Sequence, residues 1–344
     1  MIKFVGDINY TDAFLDTGIG IGSKIIHQKL DPFQYLNRSD EDIWIGNFEC
    51  VCADHSSKKG VYNKQFRISP QYLKHIHHLD YYNVANNHSM QHGEEAFNEM
   101  LINIESFGAS YFGSKKRHSV IIKYKGKKIS ITGFSLRDEK YSFQPQYWYW
   151  PEYKEIEQEL VDVSKESDFK IVYVHWGTEF INYPYVDQKK FAHWLIDSGV
   201  DLIIGLHPHI LQGYEIYNGK YIFYSLGNFV FNMHNKPDQY STIVNVDFEN
   251  EKLKIFYEYV YINDKDYSPQ IIPETKVPKD CRFSYLNEQL KKEADNETYY
   301  SHLSTYSRQE RIANYKYMIY NILNYRFVDI YSILCDYVKR KIKK

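Results

Sequence analysis

Two histidines, His207 and His209, follow directly on the apolar run 202–206, which has the composition of a buried β-strand. In open α/β sheets, ligands bind beyond the carboxyl ends of the strands, so polar side chains at that position need a chemical explanation. Pro208 fixes one backbone torsion and favours an extended His207, which would hold both imidazoles in a stiff geometry suited to a metal ion. An isolated His-x-His is equally consistent with exposed loop histidines. The interpretation therefore depends on the other strand ends.

Further predicted strands also end in polar side chains that can bind metal ions. Carboxylate, amide and imidazole ligands together suit Mn, Fe or Zn better than Ca or Mg, and the lack of cysteine argues against a structural zinc site. Two metal ions would need a bridging carboxylate. Because the strand ends of a parallel sheet share one edge, we expect these residues to lie close together. They are Asp7, Asn47 with Glu49, Asn87 with His88, and His175.

Two other groups of candidate ligands have simpler interpretations. Cys50 and Cys52 adjoin the acid at position 49, but small buried hydrophobic residues are the favoured interpretation. Ser69-Pro70 predicts a helix through about residue 79 that carries three histidines. These histidines spread around the predicted helix, which favours a solvated or structural role.

Composition limits the function classes. The chain has 344 residues, 25% charged and 43% hydrophobic, with a formal net charge of −2, so it shows no electrostatic signature of nucleic-acid binding. Its four cysteines form no CxxC pair, which favours reduced thiols. A predicted strand begins at Ile2, and no stretch approaches the roughly 20 apolar residues that span a bilayer. We therefore expect a cytoplasmic protein without a signal segment or transmembrane segment.

Strands and helices alternate up to about residue 230, which predicts a largely parallel, layered sheet with right-handed crossovers. Two antiparallel strands are predicted at 241–248 and 253–261. From about residue 264 the composition shifts to Pro, Lys, Asp and Asn, and the chain beyond is predicted to be helical. We predict two units, residues 1–263 and a mostly helical region at 264–344.

Six short motifs occur in order within roughly residues 1–250. They are Gly6-Asp7, Asn47-Phe48-Glu49, Ala85-Asn86-Asn87-His88, His175-Trp176-Gly177-Thr178-Glu179, Gly205-Leu206-His207-Pro208-His209 and Tyr224-Ser225-Leu226-Gly227-Asn228-Phe229. In this order and spacing they resemble the calcineurin-like metallophosphoesterases and, more closely, the CapA family of bacterial capsule and poly-γ-glutamate synthesis proteins. The resemblance implies a layered α/β sandwich followed by a C-terminal helical extension.

The resemblance also implies roles for the site residues. It places one metal ion on Asp7, Glu49 and His209, and a second on Glu49, Asn87, His175 and His207. Two such ions, of Mn, Fe or Zn, can generate a hydroxide from bridging water and polarise a phosphoryl oxygen. The resemblance makes His88 the general acid that protonates the leaving oxygen. The candidates for substrate contact are Asn47, Asn228, Glu179 and Arg67.

Two features depart from the pattern that this resemblance implies. The wider phosphoesterases begin with Asp-x-His, whereas this chain has Asp7-Ile8-Asn9, and an asparagine is the poorer ligand. The first metal site is therefore expected to be weak or empty. Many CapA relatives are membrane-anchored, and this sequence shows no anchor.

These observations leave three functional hypotheses. The first is a metal-dependent phosphoester hydrolase in capsule or other surface-polysaccharide biosynthesis, acting on a phosphorylated or polymeric glycan. The second is a non-hydrolytic accessory subunit that binds capsule-synthesis partner proteins. The third is a metal-dependent hydrolase or transferase acting on a γ-glutamyl amide polymer.

The end of the chain predicts a basic amphipathic helix. Docking of this helix on its own domain is the favoured interpretation, and peripheral contact with anionic lipid at the inner face of the membrane is the alternative. Its apolar residues, at helical spacing, are Phe327, Ile330, Ile333, Leu334, Val338 and Ile342.

Overall fold

A computed structural model describes residues 1–137, 139, 144–249, 252–263, 265–292 and 296–342. Its strands are β1 (Ile2–Ile8), β2 (Ile43–Phe48), β3 (Val51–Cys52), β4 (Arg67–Ile68), β5 (Tyr81–Asn83), β6 (Ser110–Phe112), β7 (Ser119–Tyr124), β8 (Lys127–Ser135), β9 (Phe169–His175), β10 (Leu202–Leu206), β11 (Tyr214–Tyr217), β12 (Lys220–Phe223), β13 (Asn228–Val230), β14 (Tyr240–Glu249), β15 (Lys252–Ile262) and β16 (Pro269–Ile271). Its α-helices are α1 (Ile21–Gln28), α2 (Glu94–Ser106), α3 (Tyr153–Ser164), α4 (Val186–Asp197), α5 (Phe283–Gln289), α6 (Asn296–Tyr320) and α7 (Phe327–Ile342).

Most of the strands form two large mixed sheets, and β3 and β4 form a separate parallel pair. The first has the order β16-β15-β14-β1-β2-β5-β6, with β13 also pairing with β1, and the second has the order β11-β12-β10-β9-β8-β7. The central strands run parallel in both sheets, so their carboxyl ends face the same way within each sheet. The hydroxyl of Tyr173 in β9 donates to the carbonyl of Val5 in β1 and joins the two sheets near those ends.

Alternation of side chains along the strands produces four layers. In β1, Phe4 faces the second sheet, whereas Val5 faces the helices on the outer side. In β9, Tyr173 faces the first sheet and Val172 packs against the outer helices α3 and α4. Helices α1 and α2 cover the outer face of the first sheet. The predicted layered α/β sandwich followed by helices is confirmed.

One predicted helix is wrong. Residues 69–79 form only a short 3₁₀-helix, Pro70–Tyr72, followed by turns. The buried residues of this segment are Leu73, Ile76 and Leu79, and a spacing of three suits tight turns better than the 3.6-residue period of an α-helix. The histidine at 78 stacks on Phe107 and has a structural role there.

The region after residue 263 is not helical throughout. Strand β16 pairs antiparallel with β15 and extends the first sheet, and Phe283 of α5 packs into the core between the sheets. The boundary at residue 263 stays a prediction. Within the described residues, no helix combines the length and apolar character that crossing a bilayer requires.

Candidate metal centre

The loop after β10 carries both histidines of the opening motif. His207 and His209 have positive φ angles of 92° and 61°, so the extended His207 predicted from Pro208 is wrong. Hydrogen bonds hold this strained backbone: the His207 N–H donates to Asp7 Oδ2 (3.1 Å), and the Phe180 N–H donates to the Pro208 carbonyl (2.9 Å). Strain of this kind persists only where the surroundings over-determine the conformation, and it concentrates at functional sites.

Asp7 lies near the end of β1, which continues one residue further, to Ile8. Its carboxylate is fully buried, accepts a hydrogen bond from Asn47 Nδ2 (2.8 Å) and lies 3.5 Å from His209 Nδ1. Burial acts to raise the pKa of Asp7, but His209, His175 and the amide outweigh it and lower the pKa. Asp7 is therefore held as an anion.

Glu49 occupies the centre of the site. Its Oε1 atom lies 3.7 Å from His209 Nε2 and 3.8 Å from the Nε2 atoms of both His88 and His175. This oxygen is buried and accepts no hydrogen bond from any described residue. Burial, followed by the nearby charge of Asp7, raises the pKa of Glu49 well above its usual value. The positive charge of Arg137 opposes this rise but does not outweigh it.

His207 is a second buried side chain whose polar atoms are unsatisfied among the described residues. It is fully buried, and neither ring nitrogen has a hydrogen-bond partner in the part of the chain that the structure describes. Burial lowers the pKa of His207 well below its usual value, so the ring is neutral and has a lone pair available. Buried polar atoms without partners are costly, and an ion held by these atoms would satisfy them.

The donor atoms fall into two groups that share Glu49. One contains Glu49, His207 and His209, the other Asp7, Glu49 and His175, and within each group the donor atoms lie within 4.8 Å of one another. Carboxylate and imidazole donors fit Mn, Fe or Zn. The sequence-based assignment put His175 with His207 and put Asp7 with His209. The two groups pair these four residues differently and share Glu49, but Asp7 Oδ2 also lies 3.5 Å from His209 Nδ1, so the assignment stays a prediction.

Asn87 lies beside the second group. Its Oδ1 atom is 2.8 Å from His175 Nε2, so it is close enough to the predicted ligands to share their ion. Burial lowers the pKa of His175 to about 3, which keeps this imidazole neutral.

Asn47 is completely buried and contacts the candidate ligands rather than a cavity. Its Nδ2 atom lies 2.8 Å from Asp7 Oδ1, 3.2 Å from His175 Nδ1 and 3.4 Å from Glu49 Oε2. Its Oδ1 atom accepts from Asn83 Nδ2 at 3.0 Å. These contacts favour a positioning role over the substrate contact predicted for Asn47.

His88 is half-buried and held on two sides. Its ring stacks on Phe66 with centroids 3.5 Å apart and planes 8° apart, and its Nδ1 atom lies 2.7 Å from Gln91 Oε1. If the glutamine oxygen accepts, Nδ1 carries the proton and Nε2 presents its lone pair toward Glu49. Burial lowers the pKa of His88 to about 3, so the ring is neutral in the metal-free protein.

The other three predicted substrate contacts lie in different environments. Asn228 is buried, and its Oδ1 atom accepts from His209 Nδ1 at 3.0 Å, which orients that imidazole. Glu179 is about one-third exposed and lies 4.0 Å from an Arg137 nitrogen. Arg67 donates to the carbonyls of Asn63 (2.8 Å) and Ala53 (2.7 Å), which favours a structural role for it.

Arg137 is a site residue that the sequence reasoning missed. Its positive charge acts on the pKa values of Glu49, His175 and His207, so it lies near all three. It follows the end of β8, which lies next to β9 in the second sheet. Application of the strand-end argument to β8 would have found it.

The side chain of Asn9 makes hydrogen bonds to residues outside the candidate ligands. Its Oδ1 atom accepts from the Thr11 backbone N–H (3.0 Å) and hydroxyl (2.7 Å), and its Nδ2 atom donates to Asn232 Oδ1 (3.3 Å). The side chain thus stabilises the turn after β1.

Comparison with known proteins shows which family the sequence of this chain matches. The family described as "Bacterial capsule synthesis protein PGA_cap" matches residues 1–233. "PGA biosynthesis protein CapA" of Bacillus subtilis (strain 168) is 30% identical over 244 residues, which are 67% of this chain and 62% of that protein. "Capsule biosynthesis protein CapA" of Bacillus anthracis is 26% identical over 290 residues, 78% of this chain and 68% of that protein.

Solved structures give more distant similarities. A structure described as a novel phosphatase from Mycoplasma pneumoniae matches with a TM-score of 0.45 and 15% identity, covering 77% of this chain and 95% of that one. The chain spans 62% of the length of its B. subtilis relative. Because the family match covers about two-thirds of the sequence, the chain belongs to the PGA_cap family of bacterial capsule synthesis proteins.

Proposed function

We propose that this chain is a divalent-metal-dependent phosphoester hydrolase that acts in the biosynthesis of a capsule or another surface polymer. The observation that supports this proposal most strongly is the buried Oε1 atom of Glu49, which three imidazoles surround and no described donor satisfies. Such an arrangement is unfavourable unless a cation occupies it.

The ion or ions would be held by the two donor groups that share Glu49, with Asn87 at the edge. When bound, Mn, Fe or Zn activates water as a nucleophile and withdraws charge from a phosphoryl oxygen. Asn9 is a poorer ligand than a histidine, and its side-chain oxygen already accepts two hydrogen bonds from Thr11. We therefore expect the two sites to differ in affinity.

The chain's own residues would supply positioning and proton transfer. His88 is neutral before substrate binds, so an anionic substrate is needed to raise its affinity for a proton. Once protonated, its Nε2–H can donate to the leaving oxygen, while Phe66 and Gln91 hold the ring in place. Arg137, whose charge acts on Glu49, His175 and His207, would bind a phosphoryl oxygen through its planar guanidinium.

The relatives supply the setting of the reaction. Proteins named for capsule and PGA biosynthesis align over two-thirds or more of the chain, which supports a phosphorylated or polymeric surface glycan as substrate and synthesis proteins as partners.

Hydrolysis of an aryl phosphate in the presence of Mn²⁺ tests this proposal. We expect turnover by the wild type, and a 10²–10⁴-fold lower kcat for His88→Ala with unchanged metal content, which is the usual contribution of a general acid. His27→Ala, at an exposed position on α1, is the matched control and should retain full activity. A wild type without turnover in any of the three metals would refute the proposal.

The name of the B. subtilis relative favours a second candidate. A carbonyl group could take the place of the phosphoryl group, which would make the chain a hydrolase or transferase on a γ-glutamyl amide polymer. Shortening of poly-γ-glutamate by the wild type, without aryl phosphate turnover, would select this candidate.

The side-chain contacts of Asn9 favour a third, non-hydrolytic accessory role, because they leave that position without a metal ligand. In cells, an unchanged polymer yield with His88→Ala would select this role over both enzymatic ones.

A further inference from the structure

Helix α7 exposes an apolar stripe. The exposed fractions are 85% for Phe327, 61% for Tyr331, 57% for Leu334 and 53% for Val338. At about 100° per residue, positions i, i+4, i+7 and i+11 fall within an arc of about 60° on one side of a helix. An exposed stripe of large apolar side chains marks an interaction surface.

The opposite side of α7 is docked on the rest of the chain. Ile333 is only 6% exposed and Asp329 only 4%, and both lie about 200–240° around the helix from Phe327. Asp329 accepts two hydrogen bonds from Arg326, and Gly18 of the N-terminal loop lies directly against its carboxylate. The helix is therefore anchored by one face, and the apolar stripe faces away from the protein.

The apolar surface continues into the segment before α7. Leu323 is 95% exposed and Tyr320 is 85% exposed, which with Phe327 are the largest exposed fractions among the described large hydrophobic residues. These residues add to the apolar area near the start of the helix.

The sequence at the other end of α7 identifies the occupant. Five of the six residues 339–344 are Lys or Arg. Apolar side chains followed by a basic cluster match an anionic lipid surface, where the apolar groups enter the acyl boundary and the basic groups bind headgroups. In a parallel pairing of α7 with a second copy of this chain, the two basic clusters would lie side by side and repel each other. Charge complementarity thus favours lipid.

We propose that the exposed face of α7, from Phe327 to Val338, docks the protein on an anionic membrane surface. The helix has 16 residues and is about 24 Å long, shorter than the roughly 30 Å hydrocarbon core, so it would lie on the bilayer. Docking on the domain and contact with lipid, the two alternatives from the sequence, are then compatible, since one face of α7 binds the domain and the other binds lipid.

Co-sedimentation of the full chain with vesicles tests this proposal. We expect binding to phosphatidylcholine vesicles that contain phosphatidylglycerol, weaker binding at high salt, and little binding to phosphatidylcholine alone. Val338→Asp should lower the partition coefficient about tenfold or more, from loss of one buried valine. Val161→Asp on α3 is the matched control, because Val161 is also 53% exposed, and it should bind like the wild type.

The charge contribution is tested separately. Lys339→Gln should lower binding to anionic vesicles about fivefold, which is the usual effect of one basic residue near such a surface. Thermal unfolding of Val338→Asp should match the wild type, because Val338 is exposed. Equal binding by the wild type and Val338→Asp would overturn the proposal. So would a wild type that self-associates through this face in light scattering but does not bind vesicles.

Discussion

Glu49→Gln should affect stability in opposite directions with and without metal. In the chelated protein, Glu49 is a buried carboxylate beside Asp7 whose Oε1 atom accepts no hydrogen bond within the described part of the chain. Glutamine has nearly the same shape but no charge. The chelated variant should therefore be more stable than the chelated wild type.

The size of the effect follows from the environment of the carboxylate. An unsatisfied buried acceptor costs about 1–3 kcal/mol, and a charged one costs more. At about 2.1 cal/mol/K per residue of unfolding entropy, 1–3 kcal/mol corresponds to a Tm rise of about 1–4 °C for a chain of this length. Metal at 100 times its Kd should stabilise the wild type by about 2.7 kcal/mol, or about 4 °C, and the variant much less.

The pH dependence has a defined sign. Burial raises the folded-state pKa of Glu49. The contribution of Glu49 to the free energy of unfolding is therefore fully present below its unfolded-state pKa and is lost as the pH rises through its folded-state pKa. Glutamine does not titrate. The stability advantage of the chelated variant should therefore be absent at low pH and grow as pH rises.

Differential scanning fluorimetry with EDTA and with Mn²⁺, across a range of pH, measures all of these effects. Glu157→Gln, at an exposed position on α3, is the isosteric control and should follow the wild type in every condition. A chelated Glu49→Gln protein less stable than the wild type, or a variant that gains as much from Mn²⁺, would refute the reasoning.

Three further substitutions test the supporting residues. Asn47→Ala removes the hydrogen-bond donor shared by the candidate ligands and should weaken Mn²⁺ binding about 10–100-fold in calorimetry; unchanged affinity would contradict its positioning role. Phe66→Ala removes the ring stacked on His88 and should lower kcat up to about tenfold with constant metal content, and an unchanged kcat would show that the stacking is not used. Gly205→Ala would place a Cβ atom 2.1 Å from the Tyr224 carbonyl oxygen and should destabilise the protein by about 1–3 kcal/mol in urea; an unshifted midpoint would contradict this packing.

Much of the candidate site could be predicted from the sequence because the strand-end argument uses only local pattern. Apolar runs that stop at Asp7, Glu49 or His175 mark strand ends, and parallel sheets bring such ends together. Arg137 follows the end of β8 in the same way, so this local pattern marks its position as well. The positive φ of His207 was also beyond the sequence, since it depends on hydrogen bonds of this loop with Asp7 and Phe180, which are distant in the chain.

The errors elsewhere have comparable causes. The helix predicted at 69–79 is wrong because its buried residues are three apart, a spacing that suits successive tight turns better than an α-helix. Strand β16 was not predicted because it lies in a segment rich in Pro, Lys, Asp and Asn, whose local propensity for β-structure is low. Pairing with β15 stabilises this strand in spite of that low propensity. Which face of α7 is docked and which is exposed could not be predicted, because this depends on how the rest of the chain packs against the helix.

Anomalous diffraction from crystals grown with Mn²⁺ tests most directly whether these side chains share a bound cation. We expect at least one Mn peak within bonding distance of the Glu49 carboxylate and of two imidazoles among His175, His207 and His209. Crystals with full Mn exposure, an ordered Glu49 and no anomalous peak between these side chains would contradict it.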